Sequence, residues 1–195
     1  MEYRIPAGAW AALFLVLIAP ATLGQVPTPN VSEEEARIFK LFAAQVQRYL
    51  KVQKECAASL PALKPNMKMA QISEHQLALG KKLAAARRGV PQGEIFSAEV
   101  TEQFRKIILG VFKGPKSQMA RKTIRPDEPS KEVLVRLHVN DMRPDSIPST
   151  TMPPTLLSKL PPLPKDLAYR IIGHALALKD TRAGLIVDFI PHAIP

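Results

Sequence analysis

The sequence predicts an α+β fold: about three N-terminal helices, a Pro-rich middle, and a small antiparallel sheet of about four strands. Three observations carry that expectation. Apolar residues recur at spacings of three and four through the first half. Ten of the nineteen prolines fall between residues 114 and 165. The final stretch breaks into short apolar runs separated by Gly and polar turns.

The first element is a targeting segment rather than part of the fold. Arg4 precedes the apolar run Ala9 to Ile18, and Pro20, Ala21, Thr22, Leu23 and Gly24 follow, the order of a secretory signal. Cleavage is expected after Gly24, with Ala21 as the other point that fits the small-residue rule. The run is shorter than the ~20 apolar residues a membrane span requires. A cleaved signal over residues 1–24 and an exported product, periplasmic or extracellular, is therefore the expectation. An uncleaved N-terminal helix anchoring the chain to a membrane is the competing reading.

Residues 25–113 read as a basic helical region. Ser32 and Glu35 have the spacing of a capping box, and Glu33, Glu34 and Glu35 sit where the positive end of a helix macrodipole favours negative charge. The helix they open should run to about Cys56, with Ile38, Phe39, Phe42, Val46, Tyr49 and Leu50 as one buried stripe. Arg37, Lys40, Gln47, Lys51 and Lys54 fall mostly off that stripe. Ser73 and Gln76 repeat the capping spacing, which predicts a second helix from Glu74 to Arg88 ending at Gly89. Ser97 opens a third, with Val100, Phe104, Ile107, Ile108 and Val111 facing the core, Phe96 stapling its entry, and Gly114 and Pro115 stopping it.

Residues 114–195 form the Pro-rich linker and β region, predicted to share one core with the helices. Within the linker only Lys131 to Asn140 alternates as a half-buried strand does, and a helical turn fits Thr155 to Leu160. Pro161, Pro162, Leu163 and Pro164 read as a stiff connector. Leu167 to Ile172, Ala175 to Lys179 and Leu185 to Ile190 then read as an antiparallel meander. The lone cysteine, Cys56, rules out an internal disulfide and reads as a packing residue.

Charge divides the chain unevenly. Residues 25–122 hold 17 Lys and Arg against 8 Asp and Glu, whereas residues 123–195 hold 9 against 8. Such an asymmetry is an argument about anionic partners. Lys81, Lys82, Arg87 and Arg88 are the candidate anion-binding residues, and an anionic envelope polymer or lipid surface is the candidate partner. Nothing accompanies the charge that would single out nucleic acid.

Candidate chemistry is thin. Asp180, Asp188 and His192, with His174 nearby, are the most defensible set the meander could bring together for a divalent metal or a hydrolysis, although Asp188 facing solvent and Asp180 forming an ordinary turn explain them more simply. No phosphate loop, nucleophile elbow, zinc-protease pair or dinucleotide fingerprint is present, so no cofactor is expected. The leading expectation is a non-enzymatic exported binding module with a basic helical face. A small hydrolase or metal-binding protein built on the C-terminal Asp and His residues, and a self-associating protein pairing through a sheet edge, are the alternatives.

Overall fold

The computed structural model describes residues 32–64, 66–115, 117–124, 137–142 and 152–195, so the predicted signal lies outside the described residues. Helix α1 spans Glu33–Ala58, α2 Met69–Ala86, α3 Ala98–Lys113, α4 Ser117–Ile124 and the short α5 Pro154–Leu157. Strands β1 Leu167–Ile172, β2 Ala175–Asp180 and β3 Leu185–Ile190 follow. The fold is α+β, with the three strands in the order β1-β2-β3, antiparallel throughout.

The helix starts follow their caps. Ser32 Oγ accepts the Glu35 N–H at 3.1 Å, and Ser97 Oγ accepts the Val100 N–H at 3.5 Å. Each satisfies a donor that the first turn leaves without a helical partner. Helix α2 departs from expectation. It begins at Met69 rather than Glu74, because the Gln71 side-chain oxygen reaches back to the Lys68 N–H at 2.9 Å and closes the N-terminus one turn earlier. Ser73 is then interior to the helix. The helix also ends slightly early, at Ala86, with Gly89 in the left-handed region at φ 81°.

Helices and sheet share one apolar core. Ile38, Phe42, Val46 and Tyr49 of α1, Leu79 and Leu83 of α2, and Val100, Phe104, Ile108 and Phe112 of α3 pack on Leu167, Tyr169, Ile171, Leu176, Leu178, Leu185, Val187 and Ile190. At its centre the rings of Phe42 and Phe104 lie 5.2 Å apart, and those of Phe96 and Phe104 lie 5.4 Å apart. Tyr169 packs against Phe104 at 6.1 Å. Such pairs add about 0.5–1.5 kcal/mol each beyond the area they bury. The Pro-rich connector is held to this core: Tyr169 donates its hydroxyl to the Pro161 carbonyl at 3.1 Å, and the Leu167 N–H donates to Pro164.

Among the described residues the sheet has three strands rather than four. Residues 131–136 of the expected first strand lie outside the described residues, and 137–140 are not a strand. Asn140 turns the chain with φ 68°, and Asp141 stabilises the turn by accepting the His138 N–H at 2.9 Å. The segment nevertheless covers the outer edge of β3. Asn140 N–H donates to Ile186 O at 2.8 Å, Ile186 N–H donates to Asp141 O at 2.9 Å, and Met142 bridges Leu185. Leu137 and Val139 pack on the sheet face opposite the helices, against Ile172, Ala175, Ala177, Ile186 and Phe189. Gly80 of α2 permits the close approach of Met142, since a Cβ there would meet the Met142 thioether and lie 2.7 Å from the Ala183 carbonyl.

Between β2 and β3 the register slips: Leu178 pairs with Asp188, but Lys179 pairs with Ile186. Val187 is the extra residue of a β-bulge, so Val187 and Asp188 both turn toward the helices. At the C-terminus Ala193 and Ile194 are buried in the core. Ile194 N–H donates to His174 O at 3.0 Å, and His174 Nδ1 lies 3.0 Å from Ile194 O.

Candidate functional site

Two sets of polar residues stand out, one buried between helices and sheet, the other on the outer surface of α1 and α2. The buried set centres on Asp188, which is fully buried. Its Oδ1 accepts the N–H groups of Gly93 at 3.0 Å and Phe189 at 2.9 Å. Its Oδ2 accepts those of Ile95 at 2.9 Å and Phe96 at 2.8 Å. One carboxylate thereby satisfies the backbone of the loop that leads into α3, which the interior would otherwise leave without partners. Asp188 does not face solvent, as the alternation of its strand suggests; the bulge at Val187 turns it inward.

Asp180 is likewise fully buried. Its Oδ2 accepts the Tyr49 hydroxyl at 2.5 Å and the Gln53 amide at 2.7 Å, and its Oδ1 accepts the Ala183 N–H at 2.8 Å. It shapes the β2–β3 turn, as expected, and also fastens that turn to α1. Burial first, and then the Asp180 carboxylate, push the Tyr49 phenol well above its ordinary value, so it remains the proton donor of the pair. Burial does the same to Tyr169.

Arg87 belongs to this junction and not to the surface. Its side chain is 4% exposed, its guanidinium donates to Val187 O at 3.2 Å and pairs with Glu94 at 2.7 Å, and it lies over the Tyr49 ring at 4.9 Å from the centroid. Arg87 follows Leu83 by four residues, on the face of α2 that Leu79 and Leu83 bury, so its side chain continues that stripe under the sheet. The expected anion-binding set loses this member. Lys81, Lys82 and Arg88 remain exposed, with Lys82 donating to Ser59 Oγ at 2.7 Å.

The metal candidates are not a metal site. Asp180 and Asp188 spend their oxygens on separate sets of donors, one serving α1 and the other the loop before α3. His192 is exposed at φ 48° just beyond β3. Among the described residues no group of three His, Cys, Asp or Glu side chains is placed to hold a metal ion.

On the surface, Arg37, Lys40, Ala44, Gln47, Lys51 and Lys54 recur at three and four along α1 and are all exposed, one stripe opposite the buried one. Arg37 is engaged with Glu34 at 2.8 Å and Glu99 at 3.2 Å, and its hydrogen bond holds the Glu34 carboxyl below its ordinary value. Among the described residues no ion pair involves Lys40, Lys51, Lys54, Lys81, Lys82 or Arg88. The α1 lysines lie in the same helical region as the pairs singled out in the sequence, and their heptad-like spacing was there to be read. Comparison with protein-family models, with curated proteins and with solved structures gives no match. No helix among the described residues is long and apolar enough to cross a membrane.

Proposed function

We propose that this chain is an exported, non-enzymatic binding module whose basic helical surface takes an anionic partner, an envelope polymer or a lipid surface. One observation carries the reading. Lys40, Lys51 and Lys54 on α1, with Lys81 on α2 and Arg88 just after it, present their charge to water without ion-pair partners among the described residues. Those cations leave a field for an anion to answer, and the attraction should fall as salt shortens its range to roughly 8 Å at physiological ionic strength.

Binding to heparin as a soluble polyanion, measured from low to physiological salt, tests the reading. The expected result is affinity that declines steeply with salt and drops further in a Lys51→Gln/Lys54→Gln/Lys81→Gln variant. Salt-independent binding, or an unaffected variant, defeats it. Export is tested separately by intact mass: the product recovered outside the cytoplasm should begin at Gln25, and a full-length product confined to the cytosol contradicts it.

A further inference from the structure

Both long helices run past the residues that bond the end of the sheet, and between Glu55 and Glu74 what they carry there includes exposed apolar side chains and two lysines. Gln53 of α1 bonds Asp180 at the end of β2, and Gln76 of α2 donates to Thr181 O at 3.1 Å in the β2–β3 turn. These two bonds mark where the sheet stops. Past these bonds lie the last turn of α1, where Cys56 and Ala57, with Leu60 just after, still pack on the core, and the first two turns of α2.

On α2 the core-facing stripe continues into this overhang with its cover falling away. Ile72, Gln76, Leu79 and Leu83 follow one another at four, three and four. Leu79 and Leu83 are fully buried, yet Ile72 is 40% exposed. Met69, one turn earlier, is 76% exposed, and Leu63 of the connection is 46% exposed. Lys64 and Lys68 stand exposed among them. The exposed Glu55 and Glu74 bound this stretch, and between them the sequence has no acidic residue.

Large apolar side chains left in water beside unopposed lysines match a bilayer surface, where apolar groups enter the acyl boundary and ammonium groups meet anionic headgroups. A soluble polyanion would use the lysines and leave Leu63, Met69 and Ile72 in water. We propose that the α1–α2 overhang docks on an anionic lipid surface, with Leu63, Met69 and Ile72 entering the interface and Lys64 and Lys68 on the headgroups. This deepens, and rests on, the reading of an anionic partner above, naming the lipid surface as that partner.

The test uses the product expected to begin at Gln25, which lacks Trp10, the only tryptophan, with a reporter at Leu63→Trp or, as a control on α5, at Leu157→Trp. With vesicles of phosphatidylcholine containing phosphatidylglycerol, the residue 63 reporter should shift to the blue and be quenched by brominated lipid. The residue 157 reporter should not move. A Leu63→Ser/Met69→Ser/Ile72→Ser variant, whose sites are exposed and whose melting should match the parent, should lose about a hundredfold in vesicle affinity while keeping its heparin binding. Lys64→Gln and Lys68→Gln should each cost about fivefold.

A silent residue 63 reporter, equal shifts at 63 and 157, or a serine variant that binds vesicles as the parent does overturns the docking proposal. Heparin binding that persists alongside any of those results leaves the polyanion reading standing. Loss of heparin binding with a responsive residue 63 reporter removes the basic-stripe reading alone.

Discussion

The junction between helices and sheet and the outer face of α1 and α2 are both rich in charge, and they use it in opposite ways. At the junction, Asp180, Asp188 and Arg87 are buried and their hydrogen-bonding atoms are committed to named partners. On the outer face, Lys40, Lys51, Lys54 and Lys81 are in water. The difference teaches that residue type does not separate structural charge from charge open to a ligand. Removing a buried carboxylate strands its donors, whereas removing a surface lysine strands nothing.

That contrast can be broken most sharply at Asp188. Its replacement by Ala leaves four N–H groups without their acceptor, and urea unfolding should show a loss of about 3–5 kcal/mol. A loss within about 0.5 kcal/mol, the range of an ordinary surface substitution, would erase the distinction. Gly80→Ala comes next. Its Cβ would crowd Met142 and lie 2.7 Å from Ala183 O, which should cost about 2 kcal/mol by thermal or urea unfolding; an unchanged midpoint would show that the Asn140–Met142 segment gives way freely.

Alkali sharpens the same comparison through protons. Tyr49 and Tyr169 have phenols raised in the folded state, so above pH ~10 the unfolded chain releases protons that the folded chain keeps. Their contribution is complete below the unfolded value and is lost as pH rises above it, at about 1.4 kcal/mol per pH unit for each tyrosine. Stability measured between pH 9 and 11 should fall accordingly, and more gently in Tyr169→Phe. The smallest effect belongs to the outer face, where Lys51→Gln/Lys54→Gln should change stability by no more than about 0.5 kcal/mol while weakening heparin binding. A large destabilisation would place those lysines with the junction.

The elements were readable where a local rule decides them. Ser32 and Ser97 mark two helix starts because a side-chain oxygen there serves a free N–H. Leu167–Ile172, Ala175–Asp180 and Leu185–Ile190 match the strands predicted from apolar runs to within one residue. Helix α4 was hidden by the Pro-rich composition around it, and the start of α2 by Ser73, which mimics a cap.

The candidate site was less legible, because it depends on neighbours distant in sequence. Asp188 is turned inward by a bulge that exists only once β2 sets the register. Arg87 is drawn under the sheet by Glu94, Val187 O and the Tyr49 ring, of which only Glu94 is close along the chain. The apolar overhang shows itself only when Gln76 and Thr181 reveal where the sheet ends.

The placement of the three strands has a consequence for how the protein comes into being. Among the described residues every strand, and the buried pair Ala193 and Ile194, follows the helices in sequence. The helices are made before the strands they pack on, and a fragment stopping short of Leu167 would keep helix–helix contacts such as Phe42–Phe104 while lacking the sheet that covers their other apolar side chains. The core that joins helices to sheet therefore cannot close until the chain beyond Leu167 has been made.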